Sequence, residues 1–218
     1  MRNIFYKFVR MARPNGKIDF ILSLNPDFKI LDVGCGNNSP YIVKSILPKC
    51  HYTGVDIQEY NLTKPNLSDN YILTTADLFS YTINKLEAKF DAVISCHNLE
   101  HCKDWESTLS AMISCLVPGG KIYIAFPSTE SQYFPSRHGT LNYFDDNTHI
   151  LNPPDFDLIL KILTNSDCEV IFRKKRYSPI LFFLLGMILE PFSFFTKKVL
   201  KGTWEYYGFE SILIARKK

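Results

Sequence analysis

Glycine and carboxylate side chains recur where short apolar runs of this 218-residue sequence end. The run at residues 29–33 contains Asp32 and leads into a turn with Gly34 and Gly36, whose missing Cβ atoms let the backbone approach a ligand closely. Asp56 closes the next run. From that position a carboxylate can accept hydrogen bonds from both hydroxyls of a ribose. These spacings indicate a nucleoside-binding edge.

Asp77 follows a third run and precedes Leu78 and Phe79. Its carboxylate can accept from an exocyclic amine while the two apolar side chains flank an aromatic base. Each feature alone has an ordinary explanation, because glycine-rich turns form tight loops and single aspartates cap helices. Three of them at the ends of three successive runs favour a shared ligand.

The positions of these residues depend on an alternation of strands and helices. We predict strands at residues 29–33, 52–57, 71–75, 90–95, 121–126, 168–173 and 210–215. We predict helices from about residue 40, at residues 105–117 and at residues 155–165. The link at 58–70 is rich in Asn, Pro and Ser, which predicts loop rather than a long crossover helix. This pattern predicts an α/β, doubly wound, mostly parallel sheet with its ligand beyond the carboxyl ends of the strands.

Composition is that of a globular chain, with 46% hydrophobic and 22% charged residues, and we expect a single domain over residues 1–218. The formal net charge of +3 is too small to predict a nucleic-acid-binding face, so no nucleic acid partner is expected. The six cysteines contain no C-x-x-C pair, which argues against a zinc site and for reduced thiols. Residues 1–11 lack the apolar core of a secretory signal, so we expect a cytoplasmic protein.

Five motifs between Phe28 and Phe126 resemble, in order and near spacing, those of class I S-adenosylmethionine-dependent methyltransferases: ILDVGCGNN, YTGVDI, TTADLF, FDAVISCHNLEH and LVPGGKIYIAFP. The resemblance is strongest to the group containing small-molecule and ubiquinone-biosynthesis O-methyltransferases. It implies a seven-stranded Rossmann-like sheet with an antiparallel last strand, and S-adenosyl-L-methionine as cofactor.

The resemblance also implies roles for individual residues. Asp32, Gly34 and Gly36 would hold the methionine end, Asp56 the ribose, Asp77 and Leu78 the adenine, and His97 would border the sulfonium. Cys35 and Ile57, beside these residues, are also expected to bind the cofactor. Asn38 departs from the family pattern, since many members have a third glycine there; Asn tolerates a left-handed backbone better than most residues.

A nicotinamide-binding Rossmann enzyme is a rival, because it shares the glycine-rich turn and the second-strand acid. The Asp77–Leu78 pair and the Pro118-Gly119-Gly120 turn favour the methyl donor. A non-catalytic module that binds S-adenosylmethionine is a second alternative.

Histidines provide the candidate bases, since a hydroxyl acceptor must lose its proton. His97 and His101 follow the fourth strand, and either could face the methyl group, although His101 could equally tie a helix start to a loop. We expect residues 127–154 to form the acceptor-site segment, with His149 as the base and Asp146 orienting it. We assign no metal site; the alternative is a divalent cation held by Asp145, Asp146 and His149.

An apolar insert occupies residues 178–208, between the last two strands. Its uninterrupted apolar run before Glu190 is too short to cross a bilayer, and Lys197, Lys198 and Lys201 follow. This composition suits peripheral contact with the inner face of a membrane, while capping of the sheet or a homodimer contact is the alternative.

The predicted activity is O-methylation of a saccharide, nucleotide-sugar or lipid-linked small molecule, as in polysaccharide biosynthesis. RNA or protein methylation is the alternative.

Overall fold

The fold is given by a computed structural model that describes residues 2–36, 38–59, 67–150 and 152–218. Its centre is a seven-stranded sheet in the order β3-β2-β1-β4-β5-β7-β6. The strands are β1 (Lys29–Val33), β2 (His51–Asp56), β3 (Asn70–Leu73), β4 (Phe90–Cys96), β5 (Leu116–Pro127), β6 (Cys168–Tyr177) and β7 (Glu210–Lys217). Strands β1 to β5 are parallel, and β7 lies antiparallel between β5 and β6. The predicted α/β sheet with an antiparallel last strand is confirmed.

Helices cover both faces of the sheet. They are α1 (Arg2–Ala12), α2 (Lys17–Leu22), α3 (Ser39–Ile46), α4 (Phe79–Asn84), α5 (Trp105–Ser114), α6 (Phe156–Asn165), α7 (Ile180–Thr196) and α8 (Thr203–Tyr207). Successive residues of β1 point to opposite faces, so Ile30 packs in the cluster containing Phe20 and Val43, whereas Leu31 packs in the cluster containing Phe79. Helices α2 and α3 therefore cover one face, and α4, α5 and α6 cover the other.

The predicted helix at 105–117 ends earlier, at Ser114, and the expected turn at residues 118–120 lies inside β5. Gly119 has φ +79°, and the pairing of β4 with β5 shifts register between Phe90 and Ala92. A glycine in the left-handed region can form such an irregularity without ending the strand.

Two further predictions concern Asn38 and the link at residues 58–70. Asn38 has φ −115°, so its tolerance of left-handed backbone is not used; it stands at the N-cap of α3. The predicted loop at 58–70 falls largely on residues 60–66, which lie outside the described residues.

The apolar insert forms α7 and α8, which pack together where Gly186 meets Gly202. A Cβ atom at Gly186 would overlap the carbonyl of Gly202, so a glycine is required at this crossing. Among the described residues, the helices are too short or too polar to traverse a lipid bilayer.

Candidate cofactor pocket and acceptor site

The main pocket lies at the carboxyl ends of β1, β2 and β4 and has a volume of about 610 Å³, which suits a small organic ligand. It is lined by Lys17, Gly34, Cys35, Gly36, Asp56, Ile57, Gln58, Ala76, Phe79, Cys96, His97, Asn98, His101, Thr148 and Ile150. The parallel register places the ends of these strands at one edge, as the sequence pattern predicts.

The glycine-rich turn is shaped by its neighbours. Gly34 has φ +70°, and a Cβ atom there would lie 2.5 Å from Cβ of Asn98, so only glycine fits. Gly36 has φ +60° and open space around its Cβ position. The N–H of Gly36 donates to Oδ2 of Asp56 at 2.7 Å, and the N–H of Ile57 donates to Oδ1 at 2.7 Å. The turn and the second-strand acid are therefore one hydrogen-bonded unit.

Asp32 is fully buried beneath this turn. Its Oδ2 accepts from the hydroxyls of Ser39 and Tyr52, the latter at 2.9 Å, and from Nζ of Lys17 at 3.4 Å. Its Oδ1 is buried and has no hydrogen-bond partner among the described residues. Burial alone would lower the pKa of Lys17, but the charge of Asp32 raises it, so Lys17 remains a cation at the pocket wall.

Lys17 is a site residue that sequence reasoning missed. It lies on α2, before the first strand and outside every motif, so neither its type nor its spacing marked it. Only the packing of α2 against the sheet brings it to the pocket.

Asp56 and Asp77 follow neighbouring strands at the same edge, since Asp56 pairs with Leu73 at the end of β3. Asp77 and Leu78 lie on the exposed turn between β3 and α4. The pocket wall beside them comes from Ala76 and Phe79. An adenine role for Asp77 and Leu78 stays a prediction.

A chain of charged groups lies behind the pocket. Nδ1 of His97 is 3.0 Å from Oε1 of Glu100, and Nε2 is 3.1 Å from Oε1 of Glu210. Arg13 continues the chain, with an N–O distance of 2.9 Å to Glu210 and 3.4 Å to Glu205. Burial alone would lower the pKa of His97, but its hydrogen bonds to the two carboxylates raise that pKa well above its ordinary value. Both ring nitrogens of His97 are held by carboxylates, so the ring has no free nitrogen to take a proton from a ligand.

His101 and His149 meet at the other side of the pocket, with ring centroids 4.9 Å apart. Nδ1 of His149 lies 2.5 Å from the carbonyl oxygen of Tyr143, and its ring stacks on that of Tyr143 at 4.4 Å. Nδ1 of His101 lies 3.2 Å from the carbonyl oxygen of Thr148. Both histidines border a smaller side pocket of about 200 Å³ next to the main pocket.

Asp146 was expected to orient His149, but the shorter contact to His149 comes from the Tyr143 carbonyl. Oδ2 of Asp146 is 3.9 Å from Nε2 of His149, which is too long for a hydrogen bond. Oδ1 of Asp146 instead accepts from the backbone N–H and the hydroxyl of Thr148, at 2.9 and 2.6 Å.

Asp145 stabilises its own loop through hydrogen bonds to neighbouring residues. Its Oδ2 accepts from the backbone N–H groups of Arg137, Leu141 and Asn142, at 2.9 to 3.1 Å, and its Oδ1 accepts from the Ser136 hydroxyl. This carboxylate is therefore saturated by the loop, and the cation site formed by Asp145, Asp146 and His149 is not assembled.

Sequence reasoning also missed Trp204, on α8. Its ring and that of Phe209 stack with centroids 4.6 Å apart and line the side pocket. Its Nε1–H donates to the carbonyl of Thr140 at 2.7 Å, which fixes the ring plane. The residue lies in the apolar insert, far in sequence from the motifs, so no local signal linked it to the site.

Comparison with known proteins gives matches to part of the sequence and to the fold. Residues 31–122 match the model of a family described as a methyltransferase domain. An uncharacterized protein of Methanocaldococcus jannaschii is 38% identical over 103 residues, which cover 44% of this chain and 27% of that protein. The 27-O-demethylrifamycin SV methyltransferase of Amycolatopsis mediterranei is 27% identical over 118 residues, covering 51% of this chain and 43% of the relative. The chain thus spans less than half the length of these curated relatives.

A solved structure supports the same fold over the full chain. The S-adenosylmethionine-dependent methyltransferase of Archaeoglobus fulgidus superposes with a TM-score of 0.55 at 19% identity, covering 100% of this chain and 95% of that one. The similarity to this structure shows the fold alone. The family match at residues 31–122 covers strands and turns that line the main pocket. Residues 31–122 of the chain thus match a methyltransferase domain, and the whole chain has the fold of a solved S-adenosylmethionine-dependent methyltransferase.

Proposed function

We propose that this chain binds S-adenosyl-L-methionine in the main pocket and transfers its methyl group to a hydroxyl of a small molecule in the side pocket. The observation that carries the proposal is the position of the two pockets, which share His97 and His101. An in-line displacement needs donor and acceptor side by side, and alignment with exclusion of water supplies much of its acceleration.

Several features of the main pocket fit the donor. The open Cβ position at Gly36 leaves room for a ligand to approach the backbone, and Asp56 at the strand end suits a ribose. Oδ1 of Asp32 is a buried acceptor that suits the ammonium group of the methionine moiety. Lys17 suits its carboxylate. Asp77 and Leu78 remain our assignment for the adenine.

The acceptor class follows from the side pocket. Trp204 and Phe209 offer an aromatic surface for stacking on a ring, and Thr140 and Asp146 add hydrogen-bonding groups. This combination supports a polyhydroxylated acceptor, which we assign as a saccharide, nucleotide-sugar or lipid-linked intermediate. A relative named for a rifamycin substrate supports a small-molecule acceptor in general.

Methyl transfer requires that the acceptor hydroxyl lose its proton as its oxygen lone pair forms the new O–CH₃ bond. The S–CH₃ bond breaks at the same time, and its electron pair converts the sulfonium into a neutral thioether. The groups that meet this hydroxyl are the Nε2 atoms of His101 and His149, since their Nδ1 atoms are committed to backbone carbonyls. They act on it directly as bases or through an ion that they hold.

The surface of α7 supports a peripheral membrane location. Large apolar side chains on one side of this helix remain 42% to 81% exposed: Ile180, Leu181, Leu184, Met187, Ile188, Phe192, Phe194 and Phe195. The exposed cations Lys197, Lys198 and Lys201 lie directly beyond its end. An apolar face beside a basic cluster complements an anionic lipid surface. Capping of the sheet does not account for the apolar face of α7, because the described residues leave this face exposed.

Cofactor binding is tested by thermal shift with S-adenosylmethionine and, separately, NAD. We expect stabilisation by the methyl donor only, since a ligand of the native state raises Tm. Asp56→Asn should bind the donor at least about tenfold more weakly, through loss of the ribose hydrogen bonds. Asp27→Asn, on an exposed loop at the opposite edge of the sheet, is the matched control. Stabilisation by NAD alone would refute the proposed donor.

The acceptor is tested by incubating the protein with methyl-labelled donor and fractionated cell extracts. We expect label in saccharide or lipid-linked fractions, and less of it at low donor concentration in a reaction that contains the Asp56→Asn variant. Label in tRNA or protein instead would overturn the acceptor class while leaving the donor assignment intact. Binding of the donor without any labelled product would favour a non-catalytic module.

A further inference from the structure

We infer that Glu100, His101 and His149 form a binding site for a divalent transition-metal ion at the border of the two pockets. One ligand atom from each residue lies within 4.8 Å of the other two. Two imidazoles and one carboxylate are a donor set that binds first-row divalent metals and leaves coordination positions open for a substrate.

The hydrogen bonds of the two histidines leave their Nε2 lone pairs available to an ion. A carbonyl oxygen only accepts, so Nδ1 of His149 donates to Tyr143 and Nδ1 of His101 donates to Thr148. The Thr148 hydroxyl gives its proton to Asp146 at 2.6 Å, so it cannot also donate to His101. Each ring therefore has an unprotonated Nε2 when neutral, and a ring nitrogen held by a carbonyl is the usual second contact of a metal-binding histidine.

Glu100 supplies an independent indication. Only 2% of this residue is exposed, and its Oε1 is hydrogen-bonded to His97. Its Oε2 is buried without a hydrogen-bond partner among the described residues. An unpaired carboxylate oxygen in a buried position is costly, and a cation is the partner that compensates this cost best.

The surrounding contacts hold the three residues together. The backbone N–H of Ile150 donates to the carbonyl of Glu100 at 2.9 Å and ties the loop of His149 to the turn of His101. The loop and the turn thus hold the three ligand residues beside one another.

The donor set selects among ions. Imidazole nitrogen favours Zn²⁺, Co²⁺ or Fe²⁺ and is compatible with Mn²⁺, whereas Mg²⁺ prefers oxygen ligands and retains its waters. As a Lewis acid, the ion would lower the pKa of an acceptor hydroxyl bound to it, so that the proton leaves to solvent before or as the O–CH₃ bond forms. This catalytic role rests on the proposed function, whereas metal binding does not.

The test is a titration of metal-free protein with Co²⁺ alone, followed by its visible absorption and by calorimetry. We expect one tightly bound Co²⁺ per chain with a spectrum of nitrogen and oxygen ligands. His149→Gln, His101→Gln and Glu100→Gln should each weaken binding by at least about tenfold. His51→Gln changes an exposed histidine at the opposite edge of the sheet and should bind Co²⁺ like the unaltered protein.

A cooperative thermal transition of each metal-free variant shows that the variant is folded. Stabilisation of the unaltered metal-free protein by S-adenosylmethionine separates this inference from the proposed function. If His149→Gln does not fold, His101→Gln, at the less buried ligand, carries the test. Absence of Co²⁺ binding, or unchanged affinity in the histidine variants, would overturn the metal site. Methyl transfer that survives chelation would overturn its catalytic role and leave the two histidines as direct bases.

Discussion

His97 and Glu210 join two strands at the pocket edge, with Nε2 of His97 3.1 Å from Oε1 of Glu210. His97 follows β4 with φ +52°, and Glu210 begins the antiparallel β7. Because β7 runs opposite to its neighbours, its first residue lies at the same edge as the last residues of β4 and β5. The position of the His97 ring between Glu100 and Glu210 thus follows from the strand order.

Stability should depend on pH through this contact. The raised pKa of His97 gives stabilisation that is complete below the unfolded-state value of about 6.5 and is lost as pH rises through the folded-state value. Burial opposes the ionisation of Glu210, but His97 and Arg13 lower its pKa. The stabilisation that ionised Glu210 contributes is therefore lost as pH falls through that lowered pKa. Between these limits, His97→Asn should lower the free energy of unfolding by about 3 kcal/mol.

Asn is chosen for this variant because it tolerates the left-handed backbone of His97. Urea denaturation from pH 5 to pH 10 should show the difference from the unaltered protein shrinking at the alkaline end, with His51→Gln as the control. A difference that does not vary with pH would contradict an ionised His97.

Gly34 and Gly119 allow conformational strain to be separated from close packing. Both have positive φ, but a Cβ atom at Gly119 has open space, whereas one at Gly34 meets Asn98. Gly119→Ala should cost about 1 kcal/mol from strain alone. Gly34→Ala should cost at least about 2 kcal/mol and weaken binding of the methyl donor. Equal costs in thermal denaturation would show that Asn98 moves aside.

Arg137 anchors α7 to the loop that carries His149. Its guanidinium, on a residue that is 2% exposed, makes a two-point contact with Glu190 at 2.6 and 2.7 Å and donates to Ser193. Arg137→Met should destabilise the protein by about 3 to 5 kcal/mol, because Glu190 then loses its cationic partner and keeps the hydrogen bond from the Tyr207 hydroxyl. Adding Glu190→Met should restore part of that loss, and a double-mutant cycle of unfolding free energies measures the coupling.

The exposed face of α7 should determine membrane binding. Ile188→Gln with Phe192→Gln removes two side chains that are 66% and 64% exposed, so the folded protein should tolerate the change. Flotation with anionic vesicles should weaken by at least about tenfold, while Leu73→Gln, 54% exposed on the distant edge strand β3, leaves it unchanged. Salt should also weaken binding through Lys198 and Lys201. Failure to float, with concentration-dependent dimers that the double variant abolishes, would favour a homodimer.

The linear sequence determined the sheet and the edge at which the main pocket lies. Apolar runs that end in Gly34, Asp56 and Asp77 specify parallel strands, and the carboxyl ends of parallel strands share an edge whatever the loops do. Strands and turns can be predicted from short stretches of sequence. The alternation of side chains along a strand and the preference of certain residues for turns both depend on only a few neighbouring positions. The run at 210–215 predicts the seventh strand, but its antiparallel direction came only from the resemblance, since strand direction leaves no local mark in the sequence.

Tertiary structure decided which side chains line the pockets. Lys17, Trp204 and Glu210 reach the pockets from segments that carry no motif, because packing of α2, α8 and β7 brings distant parts of the chain together. The sequence also did not show how the contacts of His97, His101 and His149 differ. Composition shows that a histidine is present, whereas its charge and its free nitrogen depend on burial and on partners that only the folded chain provides.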